Sequence, residues 1–361
     1  MPMIPSHAIQ PGTDLSRHAE RLRRFWRLPG IGLGRIGADG IAQIAVAGLR
    51  ARGQPDVIGP DDKWHIGSIT KSMTALLLAR LAARERISLD APLGDLAALP
   101  LHPDLARQSL RVLLAHRAGL VANPPRAVWT VTDGRDPDAP EGPLRDLLLA
   151  PQMLAPPRRD KFCYSNLGYM LAGHITEQIG GAPWKALLRS EIAAPLGLGS
   201  LGFGPPSAHN PQGHGSLLSW LLTLRGFGPA PGRPAAHDSA LADLSPAFGP
   251  AGLVHLSLSD LLRYGAAVAA LARGDDGIVA ARVFGDLITG RDYAGGWVLG
   301  EGTLGHNGSN GLWMADLRIM TSASQVTAFV TNTGSLGAFI AAGTSHWRRH
   351  ERRAQAKHGG P

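Results

Sequence analysis

The chain changes its hydrophobic period twice, and that order limits the folds open to it. Near the start, GIGLGRIGADGIAQIAVAGL reads as two strand-like apolar runs around Ala38-Asp39-Gly40, and Asp-Gly is a strong hairpin signal. From Ser68 to Gly274 the pattern turns helical, in SITKSMTALLLARLAARER, SLRVLLAHRAGL, YSNLGYMLAGHITEQIGG, APWKALLRSEIAAPLGLG and SLSDLLRYGAAVAALARG. The fourth of these is expected to break at Pro195. Four short β-like runs follow, GWVLGEG, TLGHNGS, LWMADLRIM and QVTAFVTN. Helices are also expected over 14–28 and 335–349. Strands at both ends with helices between suggest an α/β (α+β) fold, one sheet drawn from both termini around a mostly helical insertion. The boundaries are set at 14–84 plus 285–349 for the sheet domain and 85–284 for the insertion, with 350–361 a basic, disordered tail. Two stretches rich in Pro and Gly, 121–160 and 202–250, read as long irregular excursions.

Gly32-Leu33-Gly34-Arg35-Ile36-Gly37 fits the dinucleotide fingerprint G-x-G-x-x-G. That loop must open a helix whose N-terminus meets a pyrophosphate. Here the chain turns through Asp39-Gly40 into another strand, so the glycines are read as part of a strand and no cofactor is expected.

The formal charge of +8 raises the question of nucleic acid. Residues 14–27 hold five arginines against Asp14 and Glu20, and residues 348–357 hold five cations against Glu351. The rest nearly balances, so the excess sits at two solvated ends and no nucleic-acid partner is expected. The single cysteine, Cys163, excludes an intrachain disulfide and a multi-cysteine metal site. No apolar run approaches the ~18 residues of a membrane span. The N-terminus lacks a cationic start followed by an apolar stretch. The expectation is a cytoplasmic protein, or a periplasmic one if this start lacks its export segment.

Of the 36 basic residues only five are lysine, and Lys71 stands one helical turn after Ser68. A serine hydroxyl needs a base to become a nucleophile at neutral pH. A lysine at its ordinary pKa near 10.4 is an acid, but burial can make it a base. At a helix start, Ser68 would also lie in the positive end of the helix dipole. Alone, S-x-x-K equally describes a capping serine and a surface lysine. No G-x-S-x-G, H-E-x-x-H or P-loop lysine competes with it. Two further stretches carry polar chemistry. Tyr164-Ser165-Asn166 opens a helix, with a phenol that could relay a proton and an amide that could hold a carbonyl. Gly305-His306-Asn307-Gly308-Ser309 lies in an expected strand, whose glycines let a substrate approach the backbone.

Taken in order, S-I-T-K, Y-S-N and H-N-G resemble the three signature motifs of the serine β-lactamase/DD-peptidase superfamily, in its branch of class C β-lactamases and class B-type carboxypeptidases. The resemblance extends through WHIGSITKSMTALLLARLAARERISLDAPL, LRVLLAHRAGL, YSNLGYMLAGHITEQIGGAPWKALLRSEIAAPLGL, AGLVHLSLSDLLRY and GHNGSNGLWMADL, from about residue 25 to about 345. It implies the β-lactamase/transpeptidase-like fold, an antiparallel sheet flanked by helices with an inserted helical domain and a cleft between them. It implies Ser68 as nucleophile, with Lys71 and Tyr164 sharing acid and base work. Asn166, His306, Asn307 and Gly308 become substrate-binding residues, and the backbone N–H groups of Ser68 and Ser309 an oxyanion hole. No metal or cofactor is implied.

One departure stands out. His306 occupies the position where most β-lactamases of the family carry lysine, and an imidazole is mostly uncharged at neutral pH. Asn307 replaces a hydroxyl that commonly touches the substrate carboxylate. The expected activity is therefore a serine hydrolase that forms an acyl-enzyme and cleaves a small ester or D-amino-acid peptide or amide. A true β-lactamase or penicillin-binding DD-carboxypeptidase is the alternative, and a non-catalytic binding protein on the same fold another. The expected partners are small-molecule esters, peptides or β-lactams, with the oligomeric state open. His116 and Cys163 are read as structural, the first bonding local backbone and the second filling space.

Overall fold

The computed structural model describes residues 9–11, 13–37, 40–124, 161–216, 232–235, 242–322 and 325–335, and, after 335, residues 337, 339, 340 and 342–348. The hairpin tip at 38–39, most of the first excursion, parts of the second and the basic tail lie outside the described residues.

The strands are β1 (Ile9–Pro11), β2 (Gly30–Ile36), β3 (Ala42–Gly48), β4 (Lys63–His65), β5 (Gly202–Phe203), β6 (Val254–Ser257), β7 (Tyr293–Ala294), β8 (Trp297–Gly300), β9 (Thr303–Ser309), β10 (Met314–Met320) and β11 (Gln325–Thr331). One sheet runs in the order β1-β3-β2-β11-β10-β9-β8-β7, and a small one in the order β4-β6-β5. The two ends of the chain meet where β11 pairs antiparallel with β2, Val326 opposite Ile36. The large sheet is antiparallel apart from the parallel pair at its edge, β1 with β3.

Four helices build the layers: α1 (Thr13–Phe25), α2 (Thr70–Arg84), α3 (Asn166–Gly180) and α4 (Leu258–Arg273). On one sheet face, Leu15, Ala19 and Leu22 of α1 share a core with Ile31, Leu33, Phe329, Phe339 and Ala342. The opposite face carries the larger core, and α4 packs there on β2, β10 and β11 although it falls inside the expected insertion 85–284. The glycine run of β2 has its physical reason in this packing. A Cβ at Gly34 would lie 2.9 Å from Leu262 of α4, and one at Gly32 3.2 Å from Leu258. The bare backbone lets the helix lie directly on the strand.

α2 is buried on every side from Thr70 through Ala79, its polar Thr70, Lys71, Ser72 and Thr74 included. It forms the axis against which α3 packs. No described helix is long and apolar enough to cross a membrane. The expected break at Pro195 does not occur. Trp184–Leu188 runs into a π turn at Arg189–Ala193 and a last turn at Ala194–Leu196, ended by Gly197 at φ 65°. A widened turn takes up a ring that has no N–H for the regular ladder.

Candidate active site

β4 feeds a tight 3₁₀ turn, Gly67–Ile69, that opens directly into α2. Gly67 has φ +51°, and its N–H donates to Nδ1 of His65 at 3.2 Å. Ser68 lies in this turn rather than in the helix proper, and is half-buried. Lys71 follows in the first turn of α2 with no solvent exposure.

The Lys71 amine has three neighbours. Nζ lies 3.0 Å from Ser68 Oγ, 2.7 Å from Asn166 Oδ1 and 2.5 Å from the Ala251 carbonyl oxygen. The orientation of Asn166 is set by its Nδ2, which donates to Asn123 Oδ1 at 2.7 Å. Burial pushes the Lys71 pKa well below its ordinary value. A neutral amine carries two hydrogens and one lone pair. The oxygens of Asn166 and Ala251 can only accept, so they take the two hydrogens. The lone pair is left facing the Ser68 hydroxyl, which is the arrangement a general base requires.

Tyr164 stands at the foot of α3, with its ring centroid 4.9 Å from Lys71 Nζ. Burial raises its pKa, partly offset by the neighbouring Ser68 hydroxyl, so the phenol keeps its proton at neutral pH. Ser165 caps α3 by accepting the Gly168 N–H at 2.9 Å, which fixes the two residues on either side of it.

β9 closes the site from the other side. A Cβ at Gly308 would lie 2.0 Å from the Ile66 carbonyl oxygen and 2.5 Å from Ser68 N, and one at Gly67 2.2 Å from Ser309 N. Two backbones thus meet without side chains between them. The amide nitrogens of Ser68 and Ser309 are thereby brought close to each other across that contact.

The rest of the third motif divides. His306 is buried, with its ring centroid 6.3 Å from that of Tyr164. Its Nδ1 faces the Asn307 carbonyl oxygen, which can only accept, so the proton sits on Nδ1. Nε2 then accepts from the Tyr293 hydroxyl at 3.0 Å. Burial and the nearby Lys71 hold the His306 pKa down to about 3, so the ring is neutral. Asn307 is not brought into the cleft. It stands opposite Asp316 on the other sheet face, exposed, in a surface pocket with Arg318 and Trp347.

His116 bonds backbone as expected, but of a distant segment rather than the local one: Nδ1 accepts the Ser165 N–H at 3.0 Å and its carbonyl accepts the Cys163 N–H at 2.9 Å. Burial keeps it neutral, with a pKa lowered to about 2. Cys163 is half-buried beside it. Asn123, the Ala251 carbonyl and Tyr293 escaped sequence reasoning. Asn123 sits in an excursion with no periodicity, a carbonyl has no sequence signature, and Tyr293 was one aromatic in a turn.

A Beta-lactamase family model matches residues 18–349. The chain belongs to the beta-lactamase family. A family member over most of its length is "Penicillin-binding protein 4" of Amycolatopsis lactamdurans, 26% identical over 345 residues, covering 89% of this chain and 85% of that one. "Esterase EstB" of Burkholderia gladioli is 32% identical over 169 residues, 43% of this chain and 41% of that one. Among solved structures, a D-amino acid amidase from Ochrobactrum anthropi SV3, complexed with L-phenylalanine amide, superposes with a TM-score of 0.74 at 18% identity, over 95% of this chain and all of that one. This last likeness bears on the beta-lactamase fold alone, an antiparallel sheet flanked by helices. The family and its members place the chain among serine hydrolases.

Proposed function

We propose that this serine hydrolase forms an acyl-enzyme on Ser68 and acts on small esters or amides whose acyl portion carries no negative charge. The observation that supports it most is the Lys71 amine, buried, with its lone pair directed at the Ser68 hydroxyl. Lys71 takes the Ser68 proton as Oγ attacks the substrate carbonyl carbon. The oxygen that becomes negative is received by the N–H groups of Ser68 and Ser309. The proton passes from Lys71, through Tyr164, to the departing alkoxide or amine. Water then attacks the acyl carbon, gives its proton to the same groups, and frees Ser68.

The substrate class rests on charge. His306 is neutral with both ring nitrogens engaged, and Asn307 faces the other side of the sheet. Neither supplies the cation or the donor that would hold a substrate carboxylate. Phe162, 47% exposed, stands near the rings of His116 and Tyr293, with the Arg117 guanidinium, 3.6 Å from Asp292, stacked 5.9 Å from its ring. Neutral esters and amino-acid amides fit this better than β-lactams or peptides with a free C-terminus. The near full-length likeness to a penicillin-binding protein supports the second reading, a site that penicillins acylate.

The test is the burst of p-nitrophenolate from p-nitrophenyl acetate at neutral pH, with Ser68→Ala alongside and nitrocefin as comparison. A burst near one equivalent, absent in the variant, with slow nitrocefin turnover is expected. Equal release by both proteins refutes acylation of Ser68. Fast nitrocefin turnover, or a lasting penicillin adduct on Ser68, would favour the second reading.

A further inference from the structure

Beneath the oxyanion hole lies a buried polar group that the chemistry above does not use. His65 has no solvent exposure, and its Nδ1 accepts the Gly67 N–H, so in the neutral ring Nε2 carries the proton. Nε2 lies 2.8 Å from Asp243 Oδ2, without the alignment of a hydrogen bond. The other oxygen of Asp243 accepts from Asn310 Nδ2 at 3.1 Å. Asn310 is the residue after Ser309, and its Oδ1 accepts the N–H groups of Leu312 and Trp313 at 3.1 and 3.2 Å. The Trp313 ring stacks on His65 at 5.8 Å, and the Trp313 carbonyl accepts from Ser309 Oγ at 2.7 Å.

These contacts form a closed loop. One end is the turn that presents the Ser68 N–H, and the other is the turn that follows the Ser309 N–H. The two backbones are in contact at Gly67 and Gly308, with no side chain between them to set their spacing.

We propose that His65 and Asp243 are positioning residues, a buried pair that holds the Gly67 turn and the Asn310 turn at the separation the oxyanion hole needs. The proposal rests on the reading of Ser68 as nucleophile. The pair touches no substrate and acts through the two amides. The Nε2–H of His65 faces the Asp243 carboxylate across 2.8 Å in a water-free setting, where such a polar contact is strengthened and ties the turns together, and a displacement near 1 Å in such a site costs about 100-fold in rate.

The test uses Asp243→Asn, which keeps the shape and removes the charge, and His65→Gln, which reaches toward Asp243 but gives up the Nδ1 acceptor. Each is expected to lower kcat for p-nitrophenyl acetate about 10–100-fold, with KM within about threefold. Phenylboronic acid forms a tetrahedral adduct on the serine that occupies the same hole, so its Ki should rise by the factor by which kcat/KM falls. The double variant should be no worse than the poorer single one, because both break one loop. Melting temperature is followed in each, so that the rates are compared between folded proteins. Variants with wild-type kcat and boronate Ki overturn the proposal, as do strictly additive losses. A loss of melting temperature with unchanged boronate affinity would reduce the pair to a packing role and also overturn it. If wild type itself shows no burst, the reading of Ser68 fails and the proposal falls with it; a normal wild-type burst isolates the proposal.

Discussion

Gly308→Ala is the perturbation whose size the structure fixes most closely. The added Cβ would sit 2.0 Å from the Ile66 carbonyl oxygen, 2.5 Å from Ser68 N and 2.8 Å from Gly67 C. A carbon normally stays about 3.3 Å or more from a carbonyl oxygen. The strand and the turn must therefore separate by roughly an ångström, and both obstacles are backbone, with no rotamer to swing away. The two amides proposed to hold the oxyanion lie on opposite sides of that contact. Loss of one such donor costs about 10²–10³ in kcat, or about 2.7–4 kcal/mol of transition-state stabilisation. Overpacking costs a further ~1–3 kcal/mol of stability, which lowers the melting temperature by a few degrees. The assay is the acylation rate of p-nitrophenyl acetate in stopped flow, well below the melting point. A Gly308→Ala protein that acylates within threefold of wild type would refute the placement of the oxyanion hole.

Lys71→Arg keeps a cation but cannot give up its proton, so the burst should fall by at least ~100-fold; a burst within tenfold of wild type would show that Lys71 is not the base. Asn123→Ala removes the acceptor that orients Asn166 and should lower kcat about tenfold, whereas Asn123→Asp keeps an acceptor and should recover most of it; equal activity of the two, read from kcat, would count against this role. The buried neutral His306, with a folded pKa of about 3, gives a pH signature. Its folded pKa lies below the unfolded value near 6.5, so its contribution is complete above about 6.5 and is lost as the pH falls toward 3, by at most ~1.4 kcal/mol per unit. Urea midpoints should fall between pH 6.5 and 5, and fall less in His306→Gln; identical slopes would remove His306 as a cause.

The order of periodicities carried much of the fold. Two strand-like runs near the start and four near the end had to share a sheet, and β2 against β11 is where they meet. The glycine fingerprint was legible as a strand from its neighbours, while its cause, the close approach of α4, needed three dimensions. Pro195 misled because a proline predicts a break only in a regular helix, and a π turn absorbs it. In the site, Ser68, Lys71, Tyr164 and Asn166 were marked by side-chain chemistry at motif spacing, and the structure brings Ser68 and Asn166 into hydrogen bonds with Lys71 Nζ and the Tyr164 ring beside it. The face of Asn307 was legible in principle. Neighbours in a strand point to opposite faces, so a Gly308 turned toward Ser68 sends the Asn307 side chain away. Asn123, the Ala251 carbonyl and the His65–Asp243 pair were not legible, because they meet the site from segments without periodicity or through backbone atoms.

Activation of Ser68 depends above all on the protonation state of Lys71. The most direct measurement is the pH dependence of the burst-phase rate of Ser68 acylation, followed from pH 5 to pH 11. A folded pKa far below the ordinary 10.4 predicts a rise that reaches its plateau well before pH 10, with no such phase in Ser68→Ala. A rate that still climbs through 10.4 would mean that Lys71 is charged at neutral pH and is not the base that activates Ser68.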